Sequence, residues 1–249
     1  MSSTPVAARE PHVLDNALWA SLAGPHAHLS EGGDLVRRYR ASVSPFLAVR
    51  DIRAEGTWDA VAELVGPGQD VPLTSLDVDL PPGWTVGMSL QGVQMIATDA
   101  LVDRPDAEAV RLGIEDVDDM LALVARTKPG PFESETYLMG TYLGIRRDGV
   151  LVAMAGERIH PPGWTEISAV CTDVSMRGQG LASRLVRAVA HGIRARGERP
   201  FLHAVATNVG AIALYEHLGF ELRTTNTFAV ARTPADTPDA APAGAASIQ

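Results

Sequence analysis

The sequence predicts an α/β fold with a mixed sheet, on three observations. Short apolar runs bounded by turn residues alternate with segments whose apolar positions recur every third or fourth residue. Asp148-Gly149 separates two of these runs, which is the turn chemistry of a tight hairpin. The run from Thr165 to Thr172 then passes through Gly178-Gln179-Gly180 into a helical pattern. A chain of 249 residues holds one large or two small domains, and a hydrophobic content of 46% is ample for a buried core.

Taken in order, the first hundred residues give helical patterns over Leu14 to Leu22 and Thr57 to Val65. Pro67-Gly68 and Pro81-Pro82-Gly83 are turns, and Trp84 to Ile96 alternates as a strand or hairpin does. Next, Ala109 to Leu112 reads as a strand, and Glu115 to Arg126 as a helix with Val117, Met120, Leu121 and Val124 inward. A second short helix is expected over Glu133 to Met139. The hairpin strands are Thr141 to Ile145 and Val150 to Met154, and Pro161-Pro162-Gly163 turns the chain before Thr165. Leu181, Leu185, Val189 and Ile193 then repeat every four residues as one apolar helix face, stopped by Gly197. Phe201 to Val205 is a strand, and Asn208 opens a helix carrying Ala211, Leu214, Tyr215 and Leu218. Gly219 ends that helix and Phe220 begins the last strand. The expected division is an amino-terminal lobe over 1–100, a larger domain over 101–232 and a tail over 233–249. Pro, Ala, Asp and Thr dominate the tail, which cannot bury enough apolar surface to offset its ordering and is expected to be disordered.

Chemistry concentrates in the stretch from Val170 to Ala182. The first turn of a helix leaves its amides without intrahelical partners, and the helix dipole adds partial positive charge there. Gly178 and Gly180 carry no side chain, so a diphosphate can approach the backbone closely. A nucleoside-triphosphate loop is excluded, because it needs a lysine after its second glycine and Lys128 is the chain's single lysine. A dinucleotide fingerprint is excluded by the missing third glycine, since Leu181-Ala182-Ser183 follows Gly180.

The spacing Arg177-x-x-Gly180-x-Ala182 resembles the R/Q-x-x-G-x-G/A motif of the GNAT superfamily, the acyl-CoA-dependent N-acyltransferases. A second string, Asn208-x-x-Ala211-x-x-Leu214-Tyr215-Glu216-x-Leu218-Gly219-Phe220, looks like the superfamily's second signature. The order β-α-α-β-β-β-α-β-α-β over residues 108 to 232 is also what that family implies. Gly130-Pro131-Phe132 and the run Glu166 to Thr172 resemble the FR47-like subgroup in particular.

The resemblance implies a GNAT fold in the carboxy-terminal half, with a smaller, degenerate α/β lobe before it that either helps shape the acceptor site or serves as a structural cap over the sheet. It implies acetyl-CoA, or another short acyl-CoA, as co-substrate. Arg177, Gly178, Gln179, Gly180, Leu181, Ala182 and Asn208 fall at its cofactor-binding positions. Val170, Cys171 and Thr172 fall in the strand whose free main-chain groups pair with the pantetheine arm. Tyr215 sits where the family places the proton donor to the departing thiolate. Glu166, six residues before Thr172, sits where several members place a catalytic carboxylate, with Glu157 and His160 as substitutes. Cys171 reads as a small buried hydrophobe rather than a nucleophile.

A base is useful because an amine with a pKa of about 10.4 is mostly protonated at neutral pH, at a cost of about 4.6 kcal/mol. An α-amine near 8 pays only about 1 kcal/mol. The function read here is therefore transfer of an acetyl group to a primary amine, small-molecule or peptide, by direct attack in a ternary complex. Two other classes stay open: a CoA-binding module without turnover, and a protein-interaction module on the same scaffold.

Composition sets further bounds. A net charge of −9 argues against sequence-independent nucleic-acid binding and favours a cationic acceptor, while Arg177, Arg184 and Arg187 form a local basic patch for a phosphorylated cofactor. No apolar run is long enough to cross a bilayer, and no signal peptide is visible. One cysteine excludes an internal disulfide and suits a reducing cytoplasm. Arginine in place of lysine points to a GC-rich bacterial genome. His26 and His28 lack a third ligand, so no metal is expected. The acceptor and the oligomeric state, a homodimer included, are left open.

Overall fold

The computed structural model describes residues 11–73 and 79–235. The amino-terminal part opens with a 3-10 turn at Val13–Asn16 that runs into α1 (Ala17–Leu22). It continues through β1 (Ser30–Gly32), β2 (Val36–Tyr39) and β3 (Leu47–Val49), an antiparallel three-stranded sheet, to α2 (Thr57–Val65). Then come β4 (Asp70–Leu73), β5 (Thr85–Ala97), β6 (Val110–Leu112), α3 (Val117–Thr127), β7 (Tyr142–Arg147) and β8 (Val150–Glu157). β9 (Trp164–Thr172), α4 (Leu181–Ala195), β10 (Arg199–Val205), α5 (Val209–Leu218) and β11 (Phe220–Arg232) complete the chain.

Eight strands form one sheet in the order β4-β11-β5-β10-β9-β8-β7-β6. The β9–β10 pair is parallel and every other pair antiparallel, so the sheet is mixed as expected. The alternating run after Trp84 is one strand and no hairpin: β5 lies between β10 and β11, with Phe201 opposite Ile96 and Phe220 opposite Ala97. Its thirteen residues pair along nearly their whole length with β11 and, over residues 92–96, with β10, so the run is not folded back on itself.

Successive residues of a strand face opposite sides, and the two sides are covered differently. Ile167 and Leu202 face α4, whose Leu185, Val186, Val189 and Ile193 fill the largest core. Trp164 and Phe201 face the amino-terminal segment and pack with Leu14, Leu18, Leu22 and Tyr39. Glu166 and His203 share that second face, one alternation away from Ile167 and Leu202.

Three local expectations need correction. Glu133 to Met139 is not a helix; only Thr136–Met139 forms a 3-10 turn. The Thr136 hydroxyl accepts the backbone N–H of Glu133 (2.7 Å) and donates to the carbonyl of Val43 (2.7 Å), a local bond that competes with helical pairing. The helix expected from Glu115 begins with a 3-10 turn at Ile114–Asp116 before α3. At the start of the supposed tail, Thr233 is buried: its hydroxyl accepts the backbone N–H of Gln69 (2.8 Å) and donates to the carbonyl of Gly66 (2.8 Å). The rest of that expectation falls on residues 236–249, outside those described. Among the described residues no helix is long and apolar enough to cross a membrane.

Candidate active site

β9 and β10 pair only at their beginnings, where Arg199, Pro200 and Phe201 lie opposite Trp164, Thr165 and Glu166. Beyond Glu166 the two strands part. β9 also carries one extra residue against β8: Met154 opposes Cys171, Gly156 opposes Ser168, and Ala169 takes a left-handed φ of 52°. Such a bulge bends its strand and increases the local twist, which turns β9 away from β10. The gap opens a cavity of about 980 Å³.

One end of this cavity is the cradle. Arg177, Gly178, Gly180, Leu181 and Ala182 line it, as do Val170, Cys171, Thr172 and Asn208, whereas Gln179 does not. Gly178 and Gly180 have φ of 77° and 74°, conformations that side-chain-bearing residues resist, and a Cβ at either would meet no atom within 4 Å. The space above them is therefore open. Gly180 offers α4 no side-chain cap, which leaves the first amides of a fifteen-residue helix available to an anion. The Thr172 hydroxyl oxygen is buried without a partner among the described residues. Asn208 caps α5, accepting the N–H of Ala211 at 3.2 Å. Burial raises the pKa of the Cys171 thiol, as fits a packing residue.

Of the basic patch expected here, only Arg177 lines the cavity. Arg184 is held by both carboxylate oxygens of Asp106, each at 2.7 Å, and Arg187 donates to the carbonyl of Val102. Among the described residues that line the cavity none is an Asp or Glu, and the charged ones are Lys128, Arg158 and Arg177.

Tyr215 projects from α5 into the cavity wall. Its hydroxyl makes no hydrogen bond to another described residue, and burial pushes its pKa up to about 12, so it holds its proton at neutral pH. Glu166 is 0% exposed and does not itself line the cavity. Arg158 donates from Nε to its Oε2 (2.7 Å) and from Nη2 to its Oε1 (2.6 Å), and His203 Nδ1 lies 2.7 Å from Oε1. Burial pushes the Glu166 pKa up, but the Arg158 charge with the Arg158 and His203 hydrogen bonds outweighs it and holds the group at about 2.

Both Arg158 and His203 do line the cavity, and sequence reasoning missed them. The signal was a charged residue and a histidine placed in or beside otherwise apolar strands; their shared face with Glu166 needed the register. Gln94 fixes the tautomer of His203. Its Nε2 donates to the carbonyl of Leu14 (3.1 Å) and faces His203 Nε2 (3.1 Å), while its Oε1 accepts from Arg223 (2.7 Å). An amide N–H pointing at Nε2 makes that nitrogen the acceptor, so Nδ1 carries the proton and donates it to Glu166. Glu157 and His160 lie elsewhere: Glu157 faces the end of α4, where it accepts from Arg196 (3.0 Å), and His160 Nε2 sits 3.6 Å from Glu157. Neither lines the cavity.

Known proteins agree with this architecture. The family model for FR47-like proteins matches residues 142–229. A mycothiol acetyltransferase from Thermomonospora curvata is 30% identical over 155 residues, which is 62% of this chain and 49% of that protein. One from Corynebacterium glutamicum is 44% identical over 62 residues, 24% of this chain and 21% of that one. The chain thus spans about half the length or less of these curated relatives. A GCN5-related N-acetyltransferase from Kribbella flavida shares the fold, with a TM-score of 0.60 at 17% identity over 87% of this chain and 95% of that one. A crystal structure of a GNAT-family acetyltransferase from Novosphingobium aromaticivorans is 40% identical, covering 90% of this chain and 100% of that one, with a TM-score of 0.81. By that similarity, over nearly its whole length, the chain belongs to the GNAT family of acetyltransferases.

Proposed function

We propose that this protein transfers an acetyl group from acetyl-CoA to a primary amine by direct attack within a ternary complex. The observation that carries the reading is the single cavity that joins the glycine cradle, the parted strands and the Tyr215 hydroxyl. The cradle suits a diphosphate, and the parted edge of β9 suits an extended arm that pairs with main-chain groups as a strand would. A backbone N–H in the Val170–Thr172 segment would polarise the thioester carbonyl.

In the reaction the amine nitrogen forms a bond to the carbonyl carbon, and the carbon–sulfur bond breaks with its electron pair leaving on sulfur. Tyr215 is the donor to that sulfur. A phenol near 12 is a weaker acid than a thiol near about 8.5, so its main contribution is a hydrogen bond to the sulfur as charge develops. The proton shed by nitrogen goes to His203, with Glu166 behind it as the anion that stabilises a charged ring. Glu166 thus serves the base side of the reaction through His203, since its carboxylate is out of reach of the cavity. Uptake at Nε2 requires the Gln94 amide to release its contact with that nitrogen.

Thermal unfolding with acetyl-CoA, CoA and ATP tests the cofactor side. A ligand at about 100 times its dissociation constant adds roughly 2.7 kcal/mol, and each kcal/mol moves the midpoint of a chain this size by about 2–4 °C. A shift with both CoA species and none with ATP is expected. No shift with either CoA species would overturn the cradle assignment, and binding without CoA release in any amine screen would leave a binding module.

A further inference from the structure

The proposal rests on the acyl-transfer reading and specifies its acceptor. The cavity's other end lies on the face of the sheet that carries Glu166 and the amino-terminal lobe. Arg158, the partner of Glu166, marks this end. Phe46, Leu73, Met88, Leu90, Phe228 and Val230 wall it, all apolar. The charged side chain there is Arg158, which lies against the Phe46 ring at 5.1 Å and is 17% exposed. Glu166 occupies Nε and one N–H of Nη2; the remaining N–H groups make no hydrogen bond among the described residues. A guanidinium held flat by a buried carboxylate on one edge and an aromatic ring on its face presents its other edge in fixed geometry. That is what planar, bidentate recognition of a second carboxylate requires.

The same lining tells against other amines. A polyamine or an aminoglycoside would bring a second ammonium group into a cavity that has no acidic side chain among the described residues of its wall and an arginine at its end. An amine that carries its own carboxylate meets Arg158 with the opposite sign, and an apolar side chain meets the apolar wall. We infer that the acceptor is an apolar α-amino acid, with its carboxylate on the free edge of Arg158 and its side chain against Phe46 and Phe228.

The test compares three matched acceptors, L-phenylalanine, L-phenylalaninamide and phenethylamine, with spermidine as the polycation, reading CoA release. L-Phenylalanine should show a KM about 10-fold or more below those of the other two, the effect of removing one charge-assisted partner. Arg158→Lys should raise KM for L-phenylalanine by a similar factor relative to KM for phenethylamine, so that the advantage of the amino acid over the matched amine is lost whatever change in kcat the two share. Should Arg158→Lys fail to fold, Phe46→Ala should raise KM for L-phenylalanine more than for L-alanine. A readout independent of turnover is calorimetric binding of N-acetyl-L-phenylalanine to the CoA complex, which should exceed that of N-acetylphenethylamine. Equal binding of these two, or use of phenethylamine or spermidine as well as L-phenylalanine, would overturn the inference even where acetyl transfer itself is upheld. Failure of CoA to bind would instead overturn the reading beneath it.

Discussion

Arg158 and Glu166 face each other side-on, with Nε to Oε2 at 2.7 Å and Nη2 to Oε1 at 2.6 Å, and His203 Nδ1 completes the set at 2.7 Å from Oε1. The three come from the end of β8, from β9 and from β10, so the arrangement ties together the strands whose parting makes the cavity. An isolated buried carboxylate would stay neutral to avoid desolvation; this one keeps its charge because two partners meet it in good geometry.

Removing the anion should therefore cost more than removing a contact. Glu166→Gln leaves the Arg158 guanidinium desolvated and uncompensated, and breaking a buried pair in this way costs about 3–5 kcal/mol. Chemical unfolding of the variant should show a midpoint lowered accordingly, with an unchanged slope. A loss below about 1 kcal/mol would mean that water or a rearranged Glu157 already screens Arg158.

The same pair predicts an acid dependence. The folded carboxyl sits at about 2 against an ordinary value of 4.5, so the folded state binds fewer protons than the unfolded chain in that window. Its stabilisation is complete above 4.5 and disappears as pH falls towards 2. Unfolding free energies measured across this range should fall more steeply for the native chain than for Glu166→Gln. Parallel curves would show that Asp106 and other paired carboxylates, rather than Glu166, govern acid stability.

Tyr215→Phe removes one hydroxyl that has no partner among the described residues, so folding should barely change. Loss of a donor aimed at developing charge typically costs about 10²- to 10³-fold in kcat. Steady-state kinetics should show that loss with acetyl-CoA affinity retained. Full activity would remove Tyr215 from the leaving-group role.

The cradle is tested by two substitutions at one position. Gly180→Ala forces a side chain into a left-handed conformation, at about 1–2 kcal/mol, yet its Cβ points into open space. Gly180→Glu carries the same backbone cost and adds a negative charge where the diphosphate is expected. Calorimetry should find CoA binding weakened modestly in the first and lost in the second. Equal affinities would place the cofactor elsewhere.

How much of this was legible in the sequence varies with the range of the interaction involved. The four-residue repeat of Leu181, Leu185, Val189 and Ile193 records helix packing within one element, and all four are buried as expected. Gly178 and Gly180 record backbone conformation, again local. Arg158 and His203 stand out in the sequence only as polar residues in or beside apolar strands; that they meet Glu166 depends on register between strands distant in sequence, and no short pattern encodes that. The bulge at Ala169 was equally hidden, since alanine carries no mark of a left-handed φ. Thr136 misled in the opposite sense: helical periodicity ran through a residue whose hydroxyl is committed to Val43, on the far side of the chain.

The position of β5 has a consequence for how the molecule is made. Residues 85–97 leave the ribosome more than a hundred residues ahead of β11, the strand that covers one of their two edges, and almost as far ahead of β10, which covers the other. Until both arrive, a thirteen-residue strand with alternating apolar side chains must wait unpaired, a state prone to pairing with other chains. The ladder itself runs antiparallel from Arg232 beside Thr85 to Phe220 beside Ala97. A rearranged gene that places residues 79–97 after Arg232 would convert this most distant pairing into a hairpin, letting the sheet close last where it is now begun first.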